Sequence, residues 1–78
     1  MAFKPSNLPL STIRKILSHS GCKKLDIKGG HEKWTRSDLL RPIIIQTHID
    51  PVPTFIILQI MRTLNLSRND MERILREI

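Results

Sequence analysis

Residues 23–36 read KKLDIKGGHEKWTR, and this stretch decides the fold. Polar and apolar residues alternate over 23–28, which is typical of a half-buried β-strand. Gly29 and Gly30 follow, and they suit a two-residue type I′ turn because that turn needs positive φ at both central positions. The chain then continues over 31–36 as the returning strand. The sequence therefore predicts a β-hairpin at this point.

The two faces of the returning strand differ in chemical character. One face carries His31, Lys33 and Thr35, since side chains in a strand alternate between faces. The other face carries an acid, the only Trp of the chain and a base: Glu32, Trp34 and Arg36. Trp34 is expected to be a core or sheet-face anchor. Base stacking is the sharper alternative, but a lone aromatic residue supports it poorly.

The segments on either side of the hairpin complete a small α+β fold. A short amphipathic helix is predicted to begin with Ser11 as N-cap and to stop at Gly21. A third strand is predicted over 41–47, a proline-led helix over 53–64, and a last helix capped by Ser67. The order is α-β-β-β-α with a short extra C-terminal helix. It predicts a three-stranded antiparallel sheet with helices on one face.

Length and composition indicate a single domain over 1–78, with an irregular lead-in over 1–10. A chain of 78 residues with 40% apolar content can bury one small core. No apolar run is long enough to span a membrane, and no export signal is recognisable, so a cytoplasmic location is the expectation. Cys22 is the only cysteine, which fits a reducing compartment because it has no internal disulfide partner.

The positive charge is concentrated in the first half of the chain. Residues 1–41 hold nine Lys and Arg against three acidic residues, whereas residues 42–78 hold four of each. A basic patch on a small domain attracts polyanions, of which nucleic acid is the commonest. A solvated surface without a partner explains the same charge equally well.

The predicted helix over 53–64 is more apolar than one sheet requires. A helix packed on a single sheet needs an apolar stripe of roughly 100°. Here Phe55, Ile56 and Leu58 extend the apolar surface of the helix beyond a stripe of that width. The last helix is expected to cover part of the excess apolar surface, and either a different partner chain or a second copy is expected to cover the rest.

His31 is the candidate catalytic residue. It directly follows Gly29 and Gly30, where a ligand backbone can approach closely, and Lys28 and Lys33 flank it with phosphate-attracting charge. An imidazole can accept or donate a proton near neutral pH. RNA carries its own nucleophile, the 2′-hydroxyl, so a cleaving enzyme needs only proton transfer and stabilisation of phosphate charge. A solvent-exposed strand histidine with no role is the plainer alternative.

Three further residues are weaker candidates for the same site. His48 lies at the end of the predicted third strand and could assist His31, although a structural role in the loop is favoured. Lys24 and Arg36 lie close to the hairpin and could contact phosphate. His19, in the last turn of the first helix, is expected to complement the helix dipole.

Neither a metal nor a cofactor is predicted. The available ligands are Cys22 and the three histidines, and none has the spacing of a zinc site. The sequence also contains neither a phosphate-binding P-loop nor a G-x-S-x-G motif.

These features together resemble the HicA toxin family, also called YcfA-like proteins, from about Ser11 to Leu75. The family's usual G-S-H motif corresponds to Gly29-Gly30-His31, a mild departure. The shared features, in chain order, are a helix ending at Gly21, a basic strand, K-G-G-H at Lys28 to His31, the apolar strand at Ile43 to Ile45, His48, and the proline-led helix closing with Leu64 to Ser67.

The resemblance implies a double-stranded-RNA-binding-domain-like fold and the activity of a ribosome-independent mRNA interferase. It implies that His31 is the essential histidine, that RNA is the substrate, and that a HicB-like antitoxin occludes the site. Two alternatives remain. The chain could be an RNA-binding module of the same fold that does not cleave, or an interaction protein that assembles through the helix over 53–64.

Overall fold

The computed structural model describes residues 6–78, with residues 26 and 27 described by their backbone alone. The first five residues of the predicted lead-in lie outside the described residues. Three helices and an antiparallel three-stranded sheet make up the described chain, which confirms the α+β class. In chain order they are α1 (Leu10–His19), β1 (Lys23–Lys28), β2 (His31–Thr35), β3 (Ile43–Gln46), α2 (Thr54–Leu64) and α3 (Arg68–Glu77).

Helix α1 begins two residues earlier than predicted, because its N-cap is Pro9 and not Ser11. Pro9 occupies the N-cap position, and its side chain makes no capping bond. Instead the Leu10 N–H donates to Asp50 Oδ1 at 3.0 Å, so a carboxylate from a distant loop caps the helix. The described part of the predicted irregular lead-in, residues 6–10, contains local structure, because Leu8 pairs with Val52 in an isolated β-bridge and Leu10 belongs to α1. The helix ends as predicted, with Gly21 at φ +86°.

The hairpin forms as the glycine pair predicts. Gly29 and Gly30 have φ of +59° and +80°, the positive values that a type I′ turn requires. Strands β1 and β2 are antiparallel, and Lys28 is paired with His31 across the turn. The β1–β2 register shifts between Lys24 and Ile27, where β1 contains a bulge or irregularity.

Strand β3 pairs antiparallel with β2 and is shorter than the predicted 41–47. The sheet order is β1-β2-β3, so β2 lies in the middle and β3 at an edge. Pro42, which has no N–H, precedes the strand. At the other end the Ile49 N–H donates to the Gln46 C=O at 3.2 Å, and this turn closes the strand.

The two faces of the sheet have opposite environments. Trp34, Ile43 and Ile45 are buried on one face, which we call the core face. Buried side chains of all three helices belong to the same core: Leu10, Ile13, Ile16, Leu17, Ile57, Ile60, Met61, Leu64, Met71 and Ile74. The alternate positions of β2 and β3 are exposed or half-buried, and we call that side the open face.

The ends of α2 and α3 follow local sequence signals. Pro53 is the N-cap of α2, and Asn65 ends the helix in the left-handed conformation at φ 55°. Ser67 and Asp70 form a full capping box, with N–H to oxygen distances of 3.0 and 2.8 Å. No helix of the described chain is long and apolar enough to cross a membrane.

Candidate functional site

His31 is the first residue of β2, and its side chain is exposed on the open face. It is paired with Lys28 of β1 on one side and with Gln46 of β3 on the other. Lys33, the next open-face residue of β2, is also exposed and is paired with Ile44. The structure thus places the predicted imidazole and both predicted lysines on one solvent-facing surface.

The turn beside His31 is anchored to the end of β3. The Gly30 C=O accepts two hydrogen bonds from Thr47, one from its N–H at 2.8 Å and one from its Oγ1 at 3.0 Å. A Cβ built on Gly29 would meet nothing within 4 Å, so the backbone there is open to a ligand. The hairpin therefore combines an accessible backbone with a fixed position next to the imidazole.

Glu32 follows His31 on β2, and it is buried on the core face with 0% exposure. Arg14 of α1 donates to its carboxylate through Nε at 3.0 Å and Nη2 at 2.5 Å. Trp34 Nε1 donates to the other oxygen at 3.1 Å. The hydrogen bond from Arg14 holds the pKa of Glu32 below its ordinary value, with a smaller contribution from Trp34, while burial acts in the opposite direction. Glu32 is thus a buried, ionised carboxylate that ties β2 to α1.

Sequence reasoning missed this ion pair. The Arg14 side chain is 41% exposed, yet its guanidinium reaches Glu32 on the core face. The available signal was the position of Glu32 on the same strand face as Trp34. A charged residue on an apolar face needs a buried partner, because an unpaired charge is costly there.

Trp34 is a core residue, as the structural interpretation predicted. It is 6% exposed, and its indole N–H is engaged by Glu32. Base stacking on its ring is therefore excluded in this fold.

The structure places the weaker candidate residues in different parts of the sheet. His48 is exposed in the turn that follows β3, one residue after the Thr47 that bonds the hairpin, so it lies at the same end of the sheet as His31. Lys24 of β1 is exposed, but it is paired with Trp34, so its side chain lies on the core-face side of the sheet and away from the hairpin turn. Of these two residues, His48 is the one whose position permits contact with a ligand near the hairpin.

Arg36 has a structural role instead of the predicted phosphate contact. Its Nε donates to Asp38 Oδ1 at 2.6 Å, and its Nη1 donates to the Ser20 C=O at 2.9 Å. These bonds join the end of α1 to the turn after β2. The hydrogen bond between the two side chains lowers the pKa of Asp38 and raises that of Arg36.

The remaining titratable candidates lie away from the hairpin. His19 Nε2 is 2.7 Å from Glu77 Oε2, which links the ends of α1 and α3. Cys22 is buried, and burial raises the pKa of its thiol. Within the described part of the chain, no three His, Cys, Asp or Glu residues are grouped to hold a metal ion.

Comparison with known proteins adds no relative. No model of a protein family matches the chain, and neither a curated protein nor a solved structure matches it significantly. Inference about function therefore rests on the geometry of the open face and on the motif that the chain carries.

Proposed function

We propose that the chain is an RNA-cleaving toxin of the HicA type, with the double-stranded-RNA-binding-domain-like form of the α+β fold. The observation that carries the proposal is the position of His31. Its imidazole is exposed on the open face, paired with Lys28 and followed on the same face by Lys33. A general acid or base thus lies beside two cations that can attract a phosphate.

In this mechanism the RNA supplies the nucleophile. The 2′-oxygen attacks the adjacent phosphorus, the P–O2′ bond forms, and the P–O5′ bond breaks. His31 takes the proton from the 2′-hydroxyl or gives one to the departing 5′-oxygen, and water carries the other of these two protons. Such a role of a histidine typically contributes about 10²–10⁴-fold to the rate. Lys28 and Lys33 stabilise the charge that develops on the phosphate oxygens. The products are a 2′,3′-cyclic phosphate and a 5′-hydroxyl.

The HicA motif also supports a proposal for regulation. A protein antitoxin of the HicB type would block the open face around His31 and keep the toxin inactive. The exposure of His31, Lys28 and Lys33 supports this proposal, since a covering protein can reach all three.

The decisive experiment compares the purified chain, freed of any antitoxin, with its His31→Ala variant on a single-stranded RNA in the presence of a chelator. We expect the chain to produce cyclic-phosphate ends and the variant to lose at least about 100-fold in rate. An RNA with 2′-O-methyl groups throughout should resist cleavage, because it lacks the nucleophile.

His19→Gln is the matched control, because His19 lies at the junction of α1 and α3, away from the hairpin. It should cleave like the unmodified chain. Undiminished cleavage by His31→Ala would disprove the catalytic assignment. RNA retention without any cleavage by the unmodified chain would establish the non-cleaving RNA-binding module, which the same exposed lysines also suit.

A further inference from the structure

The outer edge of β3 presents backbone groups that are free to pair with another strand. The Thr47 N–H donates to the Gly30 C=O, so the Thr47 N–H points towards β2. Because the backbone groups of successive residues in a strand point to alternate sides, those of Ile45 and Ile43 point towards β2 as well. Those of Ile44 and Gln46 point outwards. In the described chain Ile44 has no hydrogen-bond partner on that side, and Gln46 uses only its C=O, which accepts from Ile49.

Apolar grooves lie along the same edge. One, of about 300 Å³, is lined by Ile44, Ile49, Phe55 and Ile56 among others, and a second, of about 320 Å³, shares Ile44 and Ile56 with it. Phe55 is 67% exposed and Ile44 is 55% exposed. A free strand edge bordered by exposed apolar side chains is a template for pairing with another chain.

This surface accounts for part of the apolar excess of α2. Phe55 and Ile56 line the groove beside β3. Leu58 does not belong to it, because it is half-buried in a different depression with Met61 and Leu66.

The charge distribution indicates which partner can bind at this edge of β3. Arg41 is the only charged residue that lines either groove, whereas the excess positive charge belongs to residues 1–41. An acidic partner would be drawn to the basic half of the molecule. A second copy, which carries the same charge of +6, is least repelled where the surface is nearly neutral.

We propose that two copies pair β3 to β3 in an antiparallel manner about a two-fold axis, with Ile44 opposite the partner's Gln46. The Ile44 N–H then donates to the Gln46 C=O of the other copy, which uses its second lone pair because the first accepts from Ile49. The Gln46 N–H donates to the Ile44 C=O of the other copy. Phe55 and Ile56 of both copies flank the seam. The result is one continuous six-stranded sheet with the β1 strands outermost.

The pairing has a consequence for the candidate site. A two-fold axis perpendicular to the sheet keeps both open faces on the same side. Three strand spacings then separate the β2 strands, which places the two His31 residues roughly 14 Å apart across the sheet. The dimer itself does not depend on RNA cleavage, so either proposal can fail without the other.

The test measures molar mass by sedimentation equilibrium at high salt, where charge effects are screened. The monomer mass is 9.1 kDa, so we expect the unmodified chain to sediment as a species of twice that mass. Ile44→Lys and Phe55→Lys place charges at the seam on side chains that are already exposed, and both should give monomers with unchanged circular dichroism. Leu25→Lys is the matched control, since Leu25 is 52% exposed on β1 and should leave the dimer intact.

A cysteine pair tests the register. With Cys22→Ser as background, Ile44→Cys together with Gln46→Cys should form disulfides between copies, because directly opposed residues of a hydrogen-bonded pair have Cα atoms about 5.5 Å apart. A monomer at the highest attainable concentration would overturn the proposal, as would equal dissociation by Leu25→Lys. A dimer that resists cross-linking would overturn the register.

Discussion

Adjacent residues of the middle strand serve opposite purposes on the two faces of the sheet. His31 and Lys33 are exposed on the open face, while Glu32 and Trp34 are buried on the core face, where the carboxylate joins α1 to the strand. The open face offers charge and an imidazole to a ligand. The core face keeps that surface in place. The difference predicts that substitutions on the two faces affect different measurements.

The largest expected effect is on stability, from Arg14→Ala. This variant leaves Glu32 buried without its cation, and breaking a buried pair in this way costs about 3 kcal/mol, near the lower end of the usual range because Arg14 is partly exposed. Urea unfolding measures the change. Lys33→Ala, on the open face of the same strand, should change the free energy of unfolding by less than about 0.5 kcal/mol. Equal losses would remove the distinction between the faces.

The pH dependence of stability should also report the core face. Because the folded state lowers the pKa of Glu32, the unfolded chain binds its proton more readily. The stabilisation is therefore present above the unfolded pKa of about 4.3 and is lost as the pH falls through the lower folded value. We expect Glu32→Gln to be less stable than the unmodified chain at neutral pH and to lose less on acidification. Parallel pH profiles would contradict this assignment.

A smaller effect on stability is expected at the turn of Gly29 and Gly30, which determines which residues of β2 lie on each face of the sheet. Gly29→Ala should cost about 1 kcal/mol, because a Cβ is strained in the left-handed conformation although it meets no neighbouring atom. Gly29→Asn should cost less, since Asn tolerates that conformation. Thermal unfolding compares the two variants, and a neutral Gly29→Ala would show that the turn relaxes.

The smallest effect concerns RNA binding on the open face. Lys28→Ala and Lys33→Ala should each reduce the slope of log affinity against log salt by about 0.7, because each lysine releases counterions from a single strand. Fluorescence anisotropy with a labelled RNA at several salt concentrations gives the slope. Lys15→Ala, an exposed position on α1, is the control and should leave the slope unchanged. An equal change there would mean that RNA binds without regard to the face.

Local residue chemistry was enough to predict much of the candidate site. The glycine pair predicted the turn, and two-residue alternation placed His31 and Lys33 on the face opposite Trp34. The partner of Glu32 was not predictable in the same way. The helical periodicity shows which residues of α1 are polar, but it does not show that the Arg14 side chain reaches Glu32 on β2.

The sequence by itself determined the hairpin, the left-handed end of α2 at Asn65 and the capping box of α3, because each depends on residues only a few positions apart. Only the tertiary structure decided where α1 begins, since its cap is Asp50, forty residues away. It also decided that Arg36 pairs within the fold and that Phe55 stays exposed beside a free strand edge. These features depend on which distant groups meet, and burial and backbone pairing settle that only when the whole chain has folded.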